Sequence, residues 1–386
     1  MDTESRIYRQ LQEHLDRAPV GYPATESGVD IRFLKHLFTP QEAQIAIYLS
    51  HIKLEAAGRI YKRAKKSGMA LSIEELRRIL DRMVRKGTLL AYKEGYRETH
   101  YKNAGVSAGG MYDFQVNRLT KELVEDFHKY HAEAFARVET TGTVRIPQLR
   151  TIPVEKSIPV PEKYQTGTYD DVRHLVESTS GQIAVVNCVC RQTREFQGQR
   201  CTHTDLRETC LQIGTDHARQ YVDMGIARYI TREEAFAILE KAQEAGLIIQ
   251  PENSRRPEAI CLCCGDCCAL LSAVKKSPRP ANLYATNYYL EVDSALCTGC
   301  ATCIKRCQLE ARVMANGVAT VNLDRCIGCG NCVVTCQSKA SRLHKKEQEL
   351  IPPKDKDTMY LKIVSRKKGK WHMLKLRTRM LLGLRV

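Results

Sequence analysis

The sequence predicts a multi-domain α+β chain, and three observations carry that expectation. At 386 residues it is too long for one hydrophobic core, because single cores stop growing at roughly 250–300 residues. Its first hundred residues read as helices closed by a β-hairpin, whereas later residues alternate strand and helix around scattered cysteines. Towards the C-terminus one cysteine pattern occurs twice, the second copy displaced by 29 residues. The expected segments are 1–105, 106–167, 168–283, 284–345 and 346–386.

In the first segment, Thr39-Pro40-Gln41-Glu42 is a capping box with proline at the first helical position, so a helix should start there and reach about Ser50. A second helix is expected over Leu54–Lys66. Ser72 with Glu75 opens a third, whose apolar face is Ile73, Leu76, Leu80 and Met83 and whose other face carries Arg77, Arg78, Arg82, Arg85 and Lys86. Gly87 ends it, and the following stretch alternates like a hairpin turning near Glu94-Gly95. Three helices and a β wing resemble a winged helix-turn-helix. That resemblance implies DNA binding by the Ser72–Lys86 helix; a protein-docking module with a solvated basic face is the other reading.

The connector, 106–167, reads as a long amphipathic helix over Val116–Val138 followed by a four-proline stretch that favours an extended path. The third segment starts with a buried strand, Ile183–Val186, running straight into Cys188-x-Cys190. Helices are expected over Asp216–Met224 and from Thr231 to Glu244, with a short strand in "GLIIQPEN". An α/β arrangement that brings Cys188 and Cys190 near Cys261–Cys268 is the natural expectation.

Seventeen cysteines without an apolar leader or an eighteen-residue apolar run point to a reducing cytoplasm, where thiolates persist as metal ligands and structural disulfides generally do not. The net charge of +16 is concentrated in the tail, where Lys362–Val386 holds nine Lys or Arg and no acid. The body is only mildly basic, a weak sign for nucleic acid.

Cys297-x2-Cys300-x2-Cys303-x3-Cys307 and Cys326-x2-Cys329-x2-Cys332-x3-Cys336 have the bacterial ferredoxin spacing. Separated C-x2-C pairs would suit zinc better; threefold spacing repeated twice suits a cubane. Residues 284–345 therefore resemble a two-[4Fe-4S] ferredoxin domain. The resemblance implies that one cluster is held by Cys297, Cys300, Cys303 and Cys336, and the other by Cys326, Cys329, Cys332 and Cys307. Asn316-Gly317 should turn a hairpin between the motifs, and Ala311 and Ala340 should pack close to the clusters. The family usually has proline after each fourth cysteine, where this chain has Gln308 and Gln337. Lys305, Arg306, Lys339 and Arg342 form a basic rim that would raise the cluster potential and dock an acidic redox partner.

Nine cysteines remain: Cys188, Cys190, Cys201, Cys210, Cys261, Cys263, Cys264, Cys267 and Cys268. Cys261, Cys264 and Cys267 share the threefold spacing, and Cys188 with Cys190 could close a third centre, either an iron-sulfur cluster or a zinc. Redox-active or substrate-binding thiols are the third reading. Nine thiols also allow two sites, with His203 or His217 as supplementary ligands, and Arg191 and Arg194 are candidates to stabilise thiolates or bind an anion.

The layout as a whole resembles ferredoxin-domain proteins of anaerobic bacteria, which implies electron transfer to or from a partner oxidoreductase. A redox-sensing DNA-binding regulator and an oxidoreductase subunit are the alternatives; the chain shows no nucleotide-binding fingerprint and no catalytic acid or base. In the tail, Met373, Leu376, Met380 and Leu384 lie at helical spacing among basic residues, which suits either an anionic membrane surface or packing on the protein itself.

Overall fold

A computed structural model describes residues 2–93, 95–104, 108–135, 146–158 and 169–381. The chain divides into two compact units, Met1–Val144 with Thr215–Arg228 and Tyr360–Val386, and Arg145–Gly214 with Tyr229–Met359. The second unit thus holds all seventeen cysteines.

The first unit begins with α1 (Thr3–Asp16), α2 (Val29–Leu37) and α3 (Pro40–Ala46). The Thr39 hydroxyl accepts from Glu42 N–H and the Glu42 carboxylate from Thr39 N–H, so the capping box forms as expected. The helix ends four residues short of Ser50. Then come β1 (Glu55–Ala56), α4 (Ala57–Lys66), α5 (Ile73–Lys86), β2 (Leu89–Tyr92) and β3 (His100–Asn103), with β3 central in the sheet. Ser72 and Glu75 close a second capping box, and Leu76, Leu80 and Met83 of α5 are fully buried. β2 and β3 pair from Leu89↔Asn103 to Tyr92↔His100; Glu94, at the expected turn, lies outside the described residues.

α6 (Ala108–Asp113) and α7 (Lys121–Tyr130) follow. The helix expected from Val116 starts later because Asn117 is left-handed at φ 63° and Thr120 accepts from Leu123 N–H as the cap. Beyond Tyr130 it widens into a π turn, His131–Phe135. Residues 136–138 lie outside the described residues. The tail helix Lys356–Leu381 breaks at Gly369 (φ 79°, ψ 171°). Val364 is buried against Ile52, with Met373 beside them, and Lys367 donates to the Val20 carbonyl. Leu384 lies outside the described residues, and Trp371 is 80% exposed. No described helix is long and apolar enough to cross a membrane.

In the second unit a five-stranded sheet is built from β4 (Ile183–Asn187), β5 (Glu208–Ile213), β6 (Ala227–Ile230), β7 (Ile248–Pro251) and β8 (Ala259–Cys263), in the order β6-β4-β5-β8-β7. Ile183–Val186 is buried throughout, as its unbroken apolar run requires. Of the proline-rich connector, residues 149–152 run along β7, with Ile152 bridging Ile249; residues 159–168 lie outside the described residues. Helix Arg232–Glu244 packs Ala235, Leu239 and Ala242 into the core with Leu211, Ile249 and Ile260.

The repeat segment forms two antiparallel pairs. β9 (Tyr288–Val292) pairs with β12 (Ser341–Lys345), and β10 (Arg312–Ala315) with β11 (Val318–Val321). Asn316 and Gly317 both have positive φ, 51° and 76°, the signature of a two-residue type I′ hairpin turn. The 29-residue repeat is also a repeat of backbone conformation: Gly299 and Gly328 (69°, 66°), Ala301 and Gly330 (58°, 77°), and Glu310 and Lys339 (both 55°) share left-handed φ. In each copy the left-handed residue, Ala301 or Gly330, is the N-cap of a short helix, Thr302–Arg306 or Asn331–Val334.

Candidate metal centres

The described geometry brings Cys307 of the first motif to Cys326, Cys329 and Cys332 of the second. The four line one cavity whose apolar walls are Leu290, Leu309, Ile327 and Leu343. Cys307 reaches it because its short helix ends there; its sulfur accepts from Ala311 N–H at 3.2 Å. Burial pushes the Cys329 thiol up to about 12 and raises those of Cys326 and Cys332 as well, so these three hold a thiolate charge only beside a compensating positive charge such as a metal ion.

In the other set, Cys297 and Cys303 share an apolar cluster with Leu290, Ala319 and Leu343, and the Cys297 sulfur accepts from Ala319 N–H at 3.4 Å. Cys303 and Cys336 meet through Ser341: Arg312 Nη2 lies 3.3 Å from both Cys303 Sγ and Ser341 Oγ, while Ser341 hydrogen-bonds Cys336. Cys300 is exposed, its thiol drawn down by the Thr302 hydroxyl. Soft thiols in two groups, with backbone N–H donors on their sulfurs, are the donor set iron-sulfur clusters require.

Arg312 escaped the sequence reading. It is 3% exposed, its charge acts on Cys326 and Cys332 as well as touching Cys303, and Nε and Nη1 have no hydrogen-bond partner. No carboxylate pairs with it among the described residues. A buried guanidinium is tolerated only beside negative charge, so Arg312 marks the space between the two thiol sets as anionic. Its signal was faint, a single arginine opening a hairpin strand.

The rim residues divide. Lys305, Lys339 and Arg342 are exposed, whereas Arg306 turns inward and donates to the carbonyls of Gln243 and Glu244. Gln308, standing where the family has proline, is 6% exposed; its amide accepts from Gly265 N–H and donates to the Gly246 carbonyl. Proline could do neither. Gly265 must be glycine, because a Cβ there would lie 2.6 Å from the Gln308 carbonyl oxygen. The residue after Cys307 is therefore stitched to the loop after Cys264.

The nine other cysteines fall into two groups. Cys201, Cys264 and Cys267 gather with Asp266, their ligand atoms all within 4.8 Å of one another. Sheet register builds the second group: Cys210 on β5 stands opposite Cys261 on β8, and thiol contacts run from Cys210 to Cys261, Cys263, Cys268, Cys190 and Cys188 in turn. Hydrogen bonds from Cys190 and Cys263 bring Cys268 down to about 5 against its burial. Of the five residues expected at a third centre, Cys264 and Cys267 thus lie in the first group, and Cys188, Cys190 and Cys261 in the second. Cys263 and Cys268 pack with Leu309 and Ile327, with Cys261 and Cys329 against the same cluster. His203 Nε2 stands 4.0 Å from Asp266 Oδ1, while His217 belongs to the first unit.

Residues 289–337 match the family of the 4Fe-4S dicluster domain. No curated protein and no solved structure matches the chain. The dicluster domain implies an iron-sulfur electron-transfer role.

Proposed function

We propose that the protein is a ferredoxin-type electron carrier in which Cys297, Cys300, Cys303 and Cys336 hold one [4Fe-4S] cluster and Cys326, Cys329, Cys332 and Cys307 hold a second. The observation that carries this reading is the exchange of Cys307 into the cavity of the other motif. A bound [4Fe-4S] cluster takes up and releases single electrons. The chain's own part is to hold the thiolates, aim the N–H groups of Ala311 and Ala319 at their sulfurs, and stabilise the added negative charge with Arg312.

A third metal centre among Cys188, Cys190 and Cys261 with their neighbours would face the second-motif cavity across Leu309 and Ile327, which suits relay of electrons to a cytoplasmic partner oxidoreductase. Lys305, Lys339 and Arg342 supply positive charge for an acidic docking surface. The helix and strand order of the first unit supports a winged-helix module. Part of its α5 face is already engaged, since Arg82 and Lys86 both pair with the buried Glu42 at 3.0 and 2.6 Å and Arg77 lies 3.5 Å from Glu98; protein docking therefore suits it better than DNA.

Anaerobic purification with iron and sulfide quantification tests the carrier. About eight irons per chain are expected from two clusters, and about twelve from three; fewer than eight would overturn it. A gel shift with sequence-preferring, redox-dependent DNA binding would replace the docking reading with a regulator.

A further inference from the structure

We propose that Cys201, Cys264, Cys267 and Asp266 hold a single zinc ion, separate from the run of six thiols and from the ferredoxin cysteines. Cys201 Sγ stands 3.6 Å from Cys264 Sγ and 3.7 Å from Asp266 Oδ1, and all four ligand atoms lie within 4.8 Å of each other. Zinc binds thiolate at about 2.3 Å, so tetrahedral neighbours stand about 3.8 Å apart. The observed spacing is that of ligands on one ion. A cubane seats each thiolate on a different iron and needs them farther apart.

Local structure explains the donor set. Cys264 and Cys267 flank a tight turn closed by Cys268 N–H to the Cys264 carbonyl at 3.2 Å. Asp266 Oδ2 is occupied by Thr202 N–H at 2.7 Å and Thr202 Oγ1 at 3.0 Å, which leaves Oδ1 to face the thiols. Metal ligands are commonly oriented by such outer hydrogen bonds. Cys264 and Cys267 belong to a core with Val154, Leu239 and Leu262, so the site is dry on that side.

A second, independent observation is Arg191. It is 0% exposed, its guanidinium donates to the Thr209 hydroxyl and the Leu262 carbonyl, and Nε has no partner. No carboxylate pairs with it among the described residues; what surrounds it is Cys188, Cys264, Cys263 and Cys201. A dication with three thiolates and one carboxylate carries about −2, which Arg191 offsets in part. Loading the ion releases the remaining thiol protons to solvent. With four protein ligands the site is closed and structural: it ties the loop at Cys201 to the turn at Cys264–Cys268 and so holds Cys263 and Cys268 against Leu309 and Ile327.

The test is zinc, iron and sulfide quantification on the same anaerobic full-length protein, wild type and Cys201→Ser, with cobalt(II) absorption of Asp266→Cys as a second readout. About one zinc per chain is expected, lost in Cys201→Ser while iron and sulfide stay at the wild-type level. Asp266→Cys should retain the ion and strengthen the thiolate-to-cobalt charge-transfer band by about a third, as three thiolates become four. Absence of zinc from the wild type, loss of iron in place of zinc in Cys201→Ser, or an unchanged cobalt band in Asp266→Cys would overturn the assignment. Should Cys201→Ser fail to fold, wild-type zinc and the cobalt band decide. A shortfall in iron with zinc retained would instead sink the electron-carrier reading and leave this site standing.

Discussion

The two cysteine-rich regions of the second unit assemble their thiols by opposite means. In the repeat segment, eight cysteines at fixed spacing lie on two short loop-helix turns of matching backbone, and each loop carries three closely spaced thiols of its own, with Cys307 reaching across to the second set. In the sheet segment, nine cysteines come from strand ends, a loop and a tight turn, and only the β5–β8 register puts Cys210 opposite Cys261. One region is encoded locally and tolerates change around it. The other depends on distant parts of the chain finding each other.

The sharpest way to break this contrast is Cys329→Ser. Local encoding predicts loss of the second-motif cluster alone, so iron falls from about eight to about four per chain while the first-motif cluster survives; complete loss of iron would mean the two loops are not independent. Next in size, Arg312→Met removes the buried cation between the thiol sets. Reduction potentials measured by redox titration should fall by about 50–100 mV, the equivalent of ~1–2 kcal/mol of lost charge interaction.

Gln308→Pro restores the family residue and tests how far the sheet segment leans on the ferredoxin loops. Gly265 N–H loses its acceptor, whereas the Gly246 carbonyl keeps Asn331 Nδ2 at 2.8 Å. One orphaned buried donor predicts a loss of about 1–3 kcal/mol in denaturant unfolding, with the ferredoxin irons retained. The smallest effect is a control in the first unit. Burial works against the charge on Glu42, but hydrogen bonds from Lys86, Thr39 N–H and Arg82 outweigh it and hold its carboxyl below the ordinary range. Its contribution is therefore complete above the unfolded value of about 4.3 and lost as pH falls through the lower folded one. Glu42→Gln should cost about 1–2 kcal/mol at pH 7, because Arg82 and Lys86 can turn to water, and urea midpoints of variant and wild type should converge in acid with metal content unchanged.

Much of the fold could be read from local chemistry. The capping boxes at Thr39 and Ser72, the stop at Gly87, the strand Ile183–Val186 and the turn at Asn316-Gly317 all depend on neighbours within a few positions, and each appears where its residues direct. The 116–138 helix misread that chemistry, because apolar periodicity hid the left-handed Asn117 and the cap at Thr120. Gln308 seemed a mere departure from the family's proline. Its role became legible only once Gly265 and Gly246 stood beside it.

The sequence by itself determined the repeat loops, since the cysteine spacing and the left-handed residues recur at the same offset and depend only on neighbours within a few positions. Tertiary structure alone decided how the remaining thiols divide. Cys188 and Cys190 follow one strand, Cys201 lies beyond the next helix, and Cys264 and Cys267 flank a turn more than sixty residues later. Which of these meet is set by sheet register and by the packing of Gly265 on Gln308. Spacing along the chain carries no information about contacts that loop closure and sheet pairing create.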